Sequence, residues 1–398
     1  MDAPVDLDSI RAAREAGRDV VRRTPVLGSA TLSSGNGPVV LKAENLQRTG
    51  SFKVRGAMNK LASLGDAAGR GVTAGSAGNH AQALAFAASQ HGVRAEIFVP
   101  TGASVTKIAA CEGYGASVTE RGATLLDAVE ASVAHAAATG SAFCHPFDDP
   151  VVVAGQGTLG LELVEDVDDL ACVVVPLGGG GLAAGTAVAV KSQRPDVRVI
   201  GVQAAVCAPY AGHPPSDGPI LTLADGIAVK RPGEVTAPLV ERWLDEVVTV
   251  DEDAIADAMV MLLERAKLAV EGGGAVGVSA LMSGLVTPPT VGTTCVVLSG
   301  GNVDLGAVPG LIRRHEHLAG RRLALFARID DRPGGLARFL AAAAAAGADL
   351  IEVQHLRECL ELHVRETGIR ATFEVRGPEH ADRIVAALCD AGYSPERR

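Results

Sequence analysis

The chain has 398 residues, of which 47% are hydrophobic and 21% charged, so it can bury a large core and is not a disordered protein. This length allows two or three domains. The formal net charge of −10 disfavours a nucleic-acid-binding protein, which needs a basic surface. The seven cysteines stand singly and form no CxxC pair, which excludes a zinc ribbon and indicates reduced thiols in the cytoplasm.

Two uncharged stretches are long enough to suggest a membrane span, residues 170–190 and 272–303. The first contains Pro176 and four consecutive glycines, and the second is interrupted by Pro288 and Pro289. A helix in lipid would have to re-satisfy the backbone groups that these residues free. We therefore predict buried strand–loop–helix units and no membrane span. The first residues also lack the apolar run of a signal peptide.

After an opening helix at residues 9–24, short apolar runs alternate with Ala-rich helical stretches. The predicted strands are residues 39–44, 70–75, 95–100, 116–120, 142–146, 172–178, 197–204 and 294–300; the predicted helices are residues 79–91, 104–113, 122–139, 155–166, 182–193, 252–268 and 272–284. Several strands are continuous Val/Ile runs, as expected when both faces of a sheet are covered. The alternation predicts an α/β fold with mostly parallel sheets, whose sites lie at the carboxyl ends of the strands.

The pattern changes after about residue 319. Strands are predicted at residues 323–329, 349–355 and 368–377, with helices at residues 336–346 and 378–391. With one more strand near residues 360–364, this is the ferredoxin-like order βαββαβ. The sequence thus predicts a first region of residues 1–319 and a small α+β domain of residues 320–398.

The segment of residues 44–57 contains Lys53, one of only seven lysines, between Phe52 and Val54. One interpretation is a desolvated, nucleophilic lysine that forms a Schiff base. The other is a lysine that covers the start of a helix. This motif alone leaves both interpretations open.

Three glycine-containing segments follow predicted strands. The N–H groups of SAGNHAQA (residues 76–83) suit a carboxylate, although an ordinary N-cap is the alternative. In PLGGGGLAAG (residues 176–185), four glycines can wrap a phosphate. No Walker pattern is present, and the next strand lacks the acidic residue of a dinucleotide site, so a structural glycine loop is the remaining alternative. One interpretation of SGGN (residues 299–302) is a hydroxyl that faces a ring nitrogen of a ligand. The other is a plain turn at the end of a strand.

Together and in this order, these motifs resemble the fold-type II pyridoxal-phosphate enzymes, most closely the threonine/serine dehydratases (threonine ammonia-lyases), over about residues 5–315. GQGTLGLE (residues 155–162) and EGGGA (residues 271–275) add to the resemblance. The tail resembles an ACT domain, a regulatory amino-acid-binding module, through DRPGGLARFL (residues 331–340). The resemblance implies a tryptophan synthase β-like fold with two open, mostly parallel sheets. A small subdomain of about residues 42–150 would be inserted in the large one.

The resemblance also implies pyridoxal 5′-phosphate as the cofactor and a role for each motif. Lys53 would form the Schiff base and move the Cα proton, and Phe52 would lie against the ring. The other implied cofactor contacts are Asn79 at the 3′ oxygen, Gly178, Gly179, Gly180, Gly181 and the Leu182 amide at the phosphate, and Ser299 at the ring nitrogen. The implied substrate-carboxylate contacts are Ser76, Gly78, Asn79 and His80.

The implied reaction is β-elimination and deamination of L-threonine to 2-oxobutanoate and ammonia, with L-serine to pyruvate as a secondary activity. A neutral serine at the ring nitrogen favours elimination over transamination. Serine racemases are similar, but they place a serine at Ala77 and acidic metal ligands at Gln203 and Pro209. Racemisation and that metal site are therefore not expected. The alternatives are a dehydratase for another 3-hydroxy amino acid, such as 3-hydroxyaspartate or phenylserine, and a catalytically idle amino-acid sensor.

The expected partners are small molecules and copies of the same chain. An ACT domain implies an effector, such as a branched-chain amino acid, bound where two such domains meet; a dimerisation module without a ligand is the alternative. A homo-oligomer, dimer or tetramer, is expected. The sequence leaves open whether the enzyme is biosynthetic, feeding isoleucine, or degradative.

Overall fold

A computed structural model describes residues 4–35, 37–213, 218, 220–357 and 366–398. The chain divides into two compact units, Met1–Asp304 and Leu305–Arg398. The sequence-based boundary at residues 319 and 320 stays a prediction. Among the described residues, no helix is both long enough and apolar enough to cross a membrane.

Strands and helices alternate through most of the first unit. The strands are β1 (Val26–Gly28), β2 (Val39–Lys42), β3 (Val72–Gly75), β4 (Ala95–Val99), β5 (Ser117–Glu120), β6 (Ala142–Phe143), β7 (Leu170–Pro176), β8 (Arg198–Ala204), β9 (Glu246–Val250) and β10 (Thr293–Val297). The helices are α1 (Leu7–Gly17), α2 (Ala30–Ser33), α3 (Lys53–Leu64), α4 (Asn79–Gln90), α5 (Val105–Gly113), α6 (Leu125–Thr139), α7 (Pro150–Asp166), α8 (Gly181–Lys191), α9 (Thr236–Trp243), α10 (Glu252–Met261) and α11 (Gly272–Met282).

Two sheets organise the described part of this unit. One has six strands in the order β1-β2-β10-β7-β8-β9, and the other has four in the order β5-β4-β3-β6. Every neighbouring pair is parallel except β1 with β2. The α/β prediction with two mostly parallel sheets is therefore confirmed. The side chains of the central strand β7 are almost all buried, which explains its continuous run of valines.

The predicted elements and the observed ones differ mainly at their ends. Helix α1 stops at Gly17, seven residues before the predicted end at residue 24. Helix α7 begins at Pro150 rather than at residue 155, because the Asp149 carboxylate accepts the Val151 N–H and proline suits the first helical turn. The predicted strand at residues 142–146 shortens to β6, where the chain turns away before Pro146. Strands β1 and β9 had no prediction.

The second unit is described by itself. Its elements are α12 (Val308–Leu318), β11 (Arg322–Asp330), α13 (Gly335–Ala345), β12 (Asp349–Leu356), β13 (Glu366–Glu374), α14 (Pro378–Asp390) and β14 (Glu396–Arg397). Its described strands form an antiparallel sheet in the order β12-β13-β11-β14. This is the ferredoxin-like order, with Phe339 of α13 and Ile384 of α14 fully buried in the core. The strand predicted near residues 360–364 lies outside the described residues. The fourth strand of the described sheet is β14, which follows α14 in the chain.

Candidate active site

The order of the larger sheet brings three site segments to one edge. Strands β2, β10 and β7 are parallel neighbours, so the loops that follow them leave from the same side. The first two loops touch directly, because Ser51 pairs with Gly300 and the Phe52 N–H donates to the Ser299 carbonyl at 3.1 Å. Lys53, the first residue of α3, is therefore held beside the loop of residues 298–302.

We call the region where these loops meet the cleft, and the Lys53 amine lies in it. Its Nζ donates to the Pro146 carbonyl at 2.8 Å and lies 5.2 Å from the centre of the Phe52 ring. Burial lowers the pKa of Lys53 to about 8, although the Glu271 carboxylate acts against this shift. A lysine amine with such a pKa is neutral, and so nucleophilic, in a far larger fraction of molecules than an exposed one. Lys53 therefore begins a helix, as one interpretation expects, and its lowered pKa fits the other interpretation, a nucleophilic amine.

The four glycines follow β7 and lead into α8. A Cβ on Gly179 would lie 2.3 Å from the Phe147 ring, and one on Gly178 would lie 2.9 Å from the Ile227 Cα. Gly180 has a φ of 94°, which side chains disfavour. Glycine is thus required by packing behind the loop. In front of it, the backbone N–H groups of residues 178–183 donate to no acceptor in the described part of the chain.

Besides the start of α8, the N-terminus of α4 also lies at the cleft. No side chain among the described residues caps this helix, since its N-cap residue is Gly78 and the Ser76 hydroxyl accepts the Gly78 N–H at 3.3 Å. Its open N–H groups and dipole suit an anion. The His80 ring is turned away, with Nε2 at 2.8 Å from the Cys144 carbonyl. Burial and the nearby Lys53 lower the pKa of His80 to about 3, so its ring is neutral.

Asn79 sits in a chain of hydrogen bonds that joins three segments. Its Nδ2 donates to Glu271 Oε1 at 2.6 Å, and its Oδ1 accepts from Asn302 Nδ2 at 2.8 Å. Asn302 Nδ2 also donates to the Thr49 carbonyl at 2.8 Å. These partners determine the orientation of the Asn79 amide and leave its second N–H available to a ligand. Burial raises the pKa of Glu271 to about 7, against the effect of Asn79.

The segment that accepts Lys53 also carries His145 and Phe147. His145 Nδ1 accepts the Asp148 N–H at 2.7 Å, so this nitrogen carries no proton. Burial lowers the pKa of His145, which keeps the ring neutral. The rings of His145 and Phe147 meet edge to face with 4.7 Å between their centres. The segment thus presents aromatic and backbone groups to the cleft.

A buried group of charges anchors the helix that begins with Lys53. Arg55 bonds Glu44 at 2.8 Å and Glu162 at 2.7 Å, and Lys42 bonds Glu162 at 2.6 Å. All four side chains are at most 8% exposed, and two cations balance two anions. Burial acts to raise the pKa of Glu44, but the Arg55 guanidinium holds it below its ordinary value. We name these four residues the buried quartet.

Several residues of the cleft had no individual prediction. Glu271 and Asn302 belong to EGGGA and SGGN, two motifs that the sequence analysis singled out, and the only signal for them was their position in those motifs. His145, Phe147 and Asp148 follow β6 in HPFDD, which places aromatic and acidic side chains together after the end of a strand. That position alone marks a candidate site segment. Among the described residues, no group of three or more His, Cys, Asp or Glu side chains could hold a metal ion.

The chain belongs to the pyridoxal-phosphate dependent enzyme family, whose family model matches residues 18–300. It is 44% identical over 392 residues to an L-threonine ammonia-lyase of Geobacter sulfurreducens, with 96% of this chain and 97% of that protein covered. An L-threonine ammonia-lyase of Thermotoga maritima is 42% identical over 396 residues, with 98% of each protein covered.

Solved structures with the same fold lead to the same family. A maize serine racemase superimposes with a TM-score of 0.72 at 34% identity, covering 79% of this chain and 99% of that one. The threonine deaminase of T.th. has a TM-score of 0.70 at 39% identity, covering 75% of this chain and 99% of that one. The fold-type II architecture is therefore confirmed, and the cofactor of this family is pyridoxal phosphate.

The residues of the cleft fit that cofactor. The open N–H groups of residues 178–183 suit its phosphate, and the Lys53 amine suits its carbonyl carbon. Ser299 is 3% exposed, and its hydroxyl has no partner among the described residues, which leaves it available to a ring nitrogen. The fit therefore rests on donors that the protein itself does not use.

Removing one member of the buried quartet should destabilise the protein strongly. We expect Arg55→Gln to lower the free energy of unfolding by about 3 kcal/mol or more, because two buried carboxylates lose their partner. Arg14→Gln is the control, since Arg14 pairs with Glu165 at 2.5 Å while both side chains are more than 40% exposed; its cost should stay below about 1 kcal/mol. Urea unfolding measures both, and equal costs would contradict the prediction.

The raised pKa of Glu271 should make stability depend on pH. The folded protein holds a proton at Glu271 up to about pH 7, whereas the unfolded chain releases it near 4.5. This contribution is full below pH 4.5 and is lost as the pH rises through 7. Without cofactor, wild type should therefore lose on the order of 2 kcal/mol of its free energy of unfolding between pH 5 and pH 8. Cofactor-free Glu271→Gln should not show this loss.

Urea unfolding at the two pH values measures this difference. Glu130→Gln, which alters an exposed carboxylate on α6, serves as the control and should follow wild type. A Glu271→Gln variant whose stability runs parallel to wild type from pH 5 to pH 8 would show that Glu271 is an ordinary carboxylate.

Proposed function

We propose that this protein is a pyridoxal-phosphate dependent L-threonine ammonia-lyase, which converts L-threonine to 2-oxobutanoate and ammonia and, as a secondary activity, L-serine to pyruvate. The observation that carries the proposal is the buried Lys53 amine, with its lowered pKa, in a cleft to which the glycine loop and α4 both contribute N–H groups that the described residues do not use. The similarity to two proteins of that name, along almost the whole chain, supports the choice of substrate.

In this proposal, each end of the cleft has a separate task. Bound pyridoxal phosphate supplies an electron sink for the charge left behind when the substrate loses its Cα proton. Residues 178–182 hold the phosphate, Asn79 and Ser299 hold the ring, and Phe52 lies against it. The N-terminus of α4, from Ser76 to His80, holds the substrate carboxylate. His80 contributes its backbone N–H, since its ring is bonded to the Cys144 carbonyl.

Lys53 is the proposed base for the Cα proton. Its pKa of about 8 lies close to neutral pH, where a general base is most effective. On the α4 side, Ala77 has no group that transfers a proton, and the His80 ring stays neutral. This supports elimination over racemisation, because racemisation needs a second proton donor. A neutral Ser299 at the ring nitrogen would favour the same outcome, because a serine hydroxyl would not keep that nitrogen fully protonated.

The first test compares product formation by wild type and Lys53→Ala. Wild type should release 2-oxobutanoate from L-threonine and pyruvate more slowly from L-serine, and Lys53→Ala should be at least about a thousandfold slower on both. Lys191→Ala is the control, because Lys191 pairs with Asp245 at the far end of α8; it should keep wild-type activity.

The same assay distinguishes the alternatives. If the protein with bound cofactor releases no product from either substrate, threonine is the wrong assignment. Activity on 3-hydroxyaspartate or phenylserine would then identify another 3-hydroxy amino acid lyase. Inactivity on the whole panel would identify an amino-acid sensor.

We also propose that residues 320–398 form an ACT domain that binds an amino-acid effector such as a branched-chain amino acid. A cavity of about 690 Å³ supports this proposal, with Asp331, Arg332 and Arg357 among its charged lining residues and Leu336 and Leu340 among its apolar ones. Side chains of both charges thus lie near an apolar surface, where Arg357 and Asp331 pair with each other at 3.4 Å. A homo-oligomer would place two such domains together, and the reduced cysteines support a cytoplasmic location.

Effector binding should depend on the lining of this cavity. L-Isoleucine or L-valine should bind the full chain in a calorimetric titration, and Arg357→Ala should weaken that binding tenfold or more. Arg370→Ala, an exposed change on β13 outside the cavity lining, should bind as wild type does. If neither amino acid binds or alters threonine turnover, the domain is a dimerisation module instead.

A further inference from the structure

Residues 145–148 run between the two ends of the cofactor site. At one end, the Pro146 carbonyl accepts the Lys53 amine at 2.8 Å. At the other, Phe147 packs behind the glycine loop, so closely that Gly179 has no room for a Cβ. The position of this segment therefore determines how far Lys53 lies from the loop proposed to hold the phosphate.

One half-buried carboxylate fastens this segment to the rest of the unit. Asp148 accepts the backbone N–H groups of Glu234 at 2.9 Å, Val235 at 2.8 Å and Thr236 at 3.1 Å. Gly233 packs against the same carboxylate, since a Cβ there would lie 2.2 Å from Asp148 Oδ1. Three N–H donors at the start of α9 thus converge on one charged acceptor, and such charge-assisted bonds are stronger than neutral ones.

One of the residues that Asp148 binds, Thr236, also holds the glycine loop. The Thr236 hydroxyl donates to the Gly179 carbonyl at 2.7 Å, and the Tyr210 hydroxyl donates to the same carbonyl at 3.2 Å. With its carbonyl held from this side, Gly179 keeps its N–H available to the cleft. A continuous path therefore runs from Lys53 through Pro146, Asp148 and Thr236 to the glycine loop.

We propose that Asp148 is a positioning residue for the cofactor. Its hydrogen bonds set the distance between Lys53 and the phosphate-binding N–H groups. This inference rests on the cofactor placement of the proposed function. Asp148 touches neither the Lys53 amine nor the glycine loop itself. Its loss should therefore weaken and loosen cofactor binding while the chemical groups of the site remain in place.

The neighbouring Asp149 provides a matched control. It is also half-buried, accepts the Val151 N–H at 2.8 Å and pairs with Lys60 at 2.6 Å. These bonds tie it to α7 and α3 and not to the residues that hold the glycine loop. Asp149→Asn and Asp148→Asn thus remove the same charge from adjacent positions.

The experiment measures cofactor affinity, cofactor release and the melting temperature of each cofactor-free protein. Pyridoxal phosphate is titrated into wild type, Asp148→Ala, Asp148→Asn and Asp149→Asn below all melting temperatures, and its absorbance reports binding. Asp148→Ala should raise the cofactor Kd tenfold or more and speed release to match. Asp148→Asn should give a smaller rise, because its amide oxygen still accepts, and Asp149→Asn should stay within twofold of wild type.

Two results would overturn the inference while leaving the proposed function intact. One is wild-type affinity and release in both Asp148 variants. The other is loss of affinity in Asp148→Asn and Asp149→Asn alike, in proportion to their melting temperatures, which marks a merely structural role. Should Asp148→Ala fail to fold, Asp148→Asn decides. If wild type itself does not bind the cofactor through Lys53, the proposed placement fails and this inference fails with it.

Discussion

The buried quartet of Lys42, Glu44, Arg55 and Glu162 is the constraint on which the rest of the site depends. Unpaired charges away from water are costly, so these four side chains are stable only when β2, the loop after it, α3 and α7 are assembled together. Arg55 is two residues from Lys53 on α3. The ion pairs of Arg55 with Glu44 and Glu162 therefore also hold the Lys53 amine in the cleft.

Around that anchor, the cleft combines backbone N–H groups with two titratable side chains, Lys53 and Glu271. The glycine loop and the start of α4 both present N–H groups that the described residues do not use. Burial brings the pKa of Lys53 down to about 8 and that of Glu271 up to about 7, so both groups change charge close to neutral pH. Hydrogen bonds then hold the Asn79 amide and the segment that carries Asp148 in position.

Much of the fold could be predicted because the pattern is local. Alternating Val-rich runs and Ala-rich stretches define the parallel sheets, and most element ends fall within a few residues of their prediction. The ends that differed depend on single residues, such as Asp149, which caps α7 earlier than the apolar pattern suggests. The prediction omitted β9, although its EVVTV run has the β-branched residues typical of a strand; β9 is the edge strand beside β8 and is mostly half-buried.

The sequence by itself determined which chemical groups are candidates for the site, since Lys53, the glycine loop, Asn79 and Ser299 stand in recognisable motifs at the ends of strands. Only the tertiary structure decided how these groups are held and tuned. Glu271 meets Asn79 across 192 positions of sequence, and Asp148 meets the start of α9 across 86 or more. Such contacts, and the burial that shifts the pKa of Lys53, arise from packing between distant segments, and a local pattern carries no record of that packing.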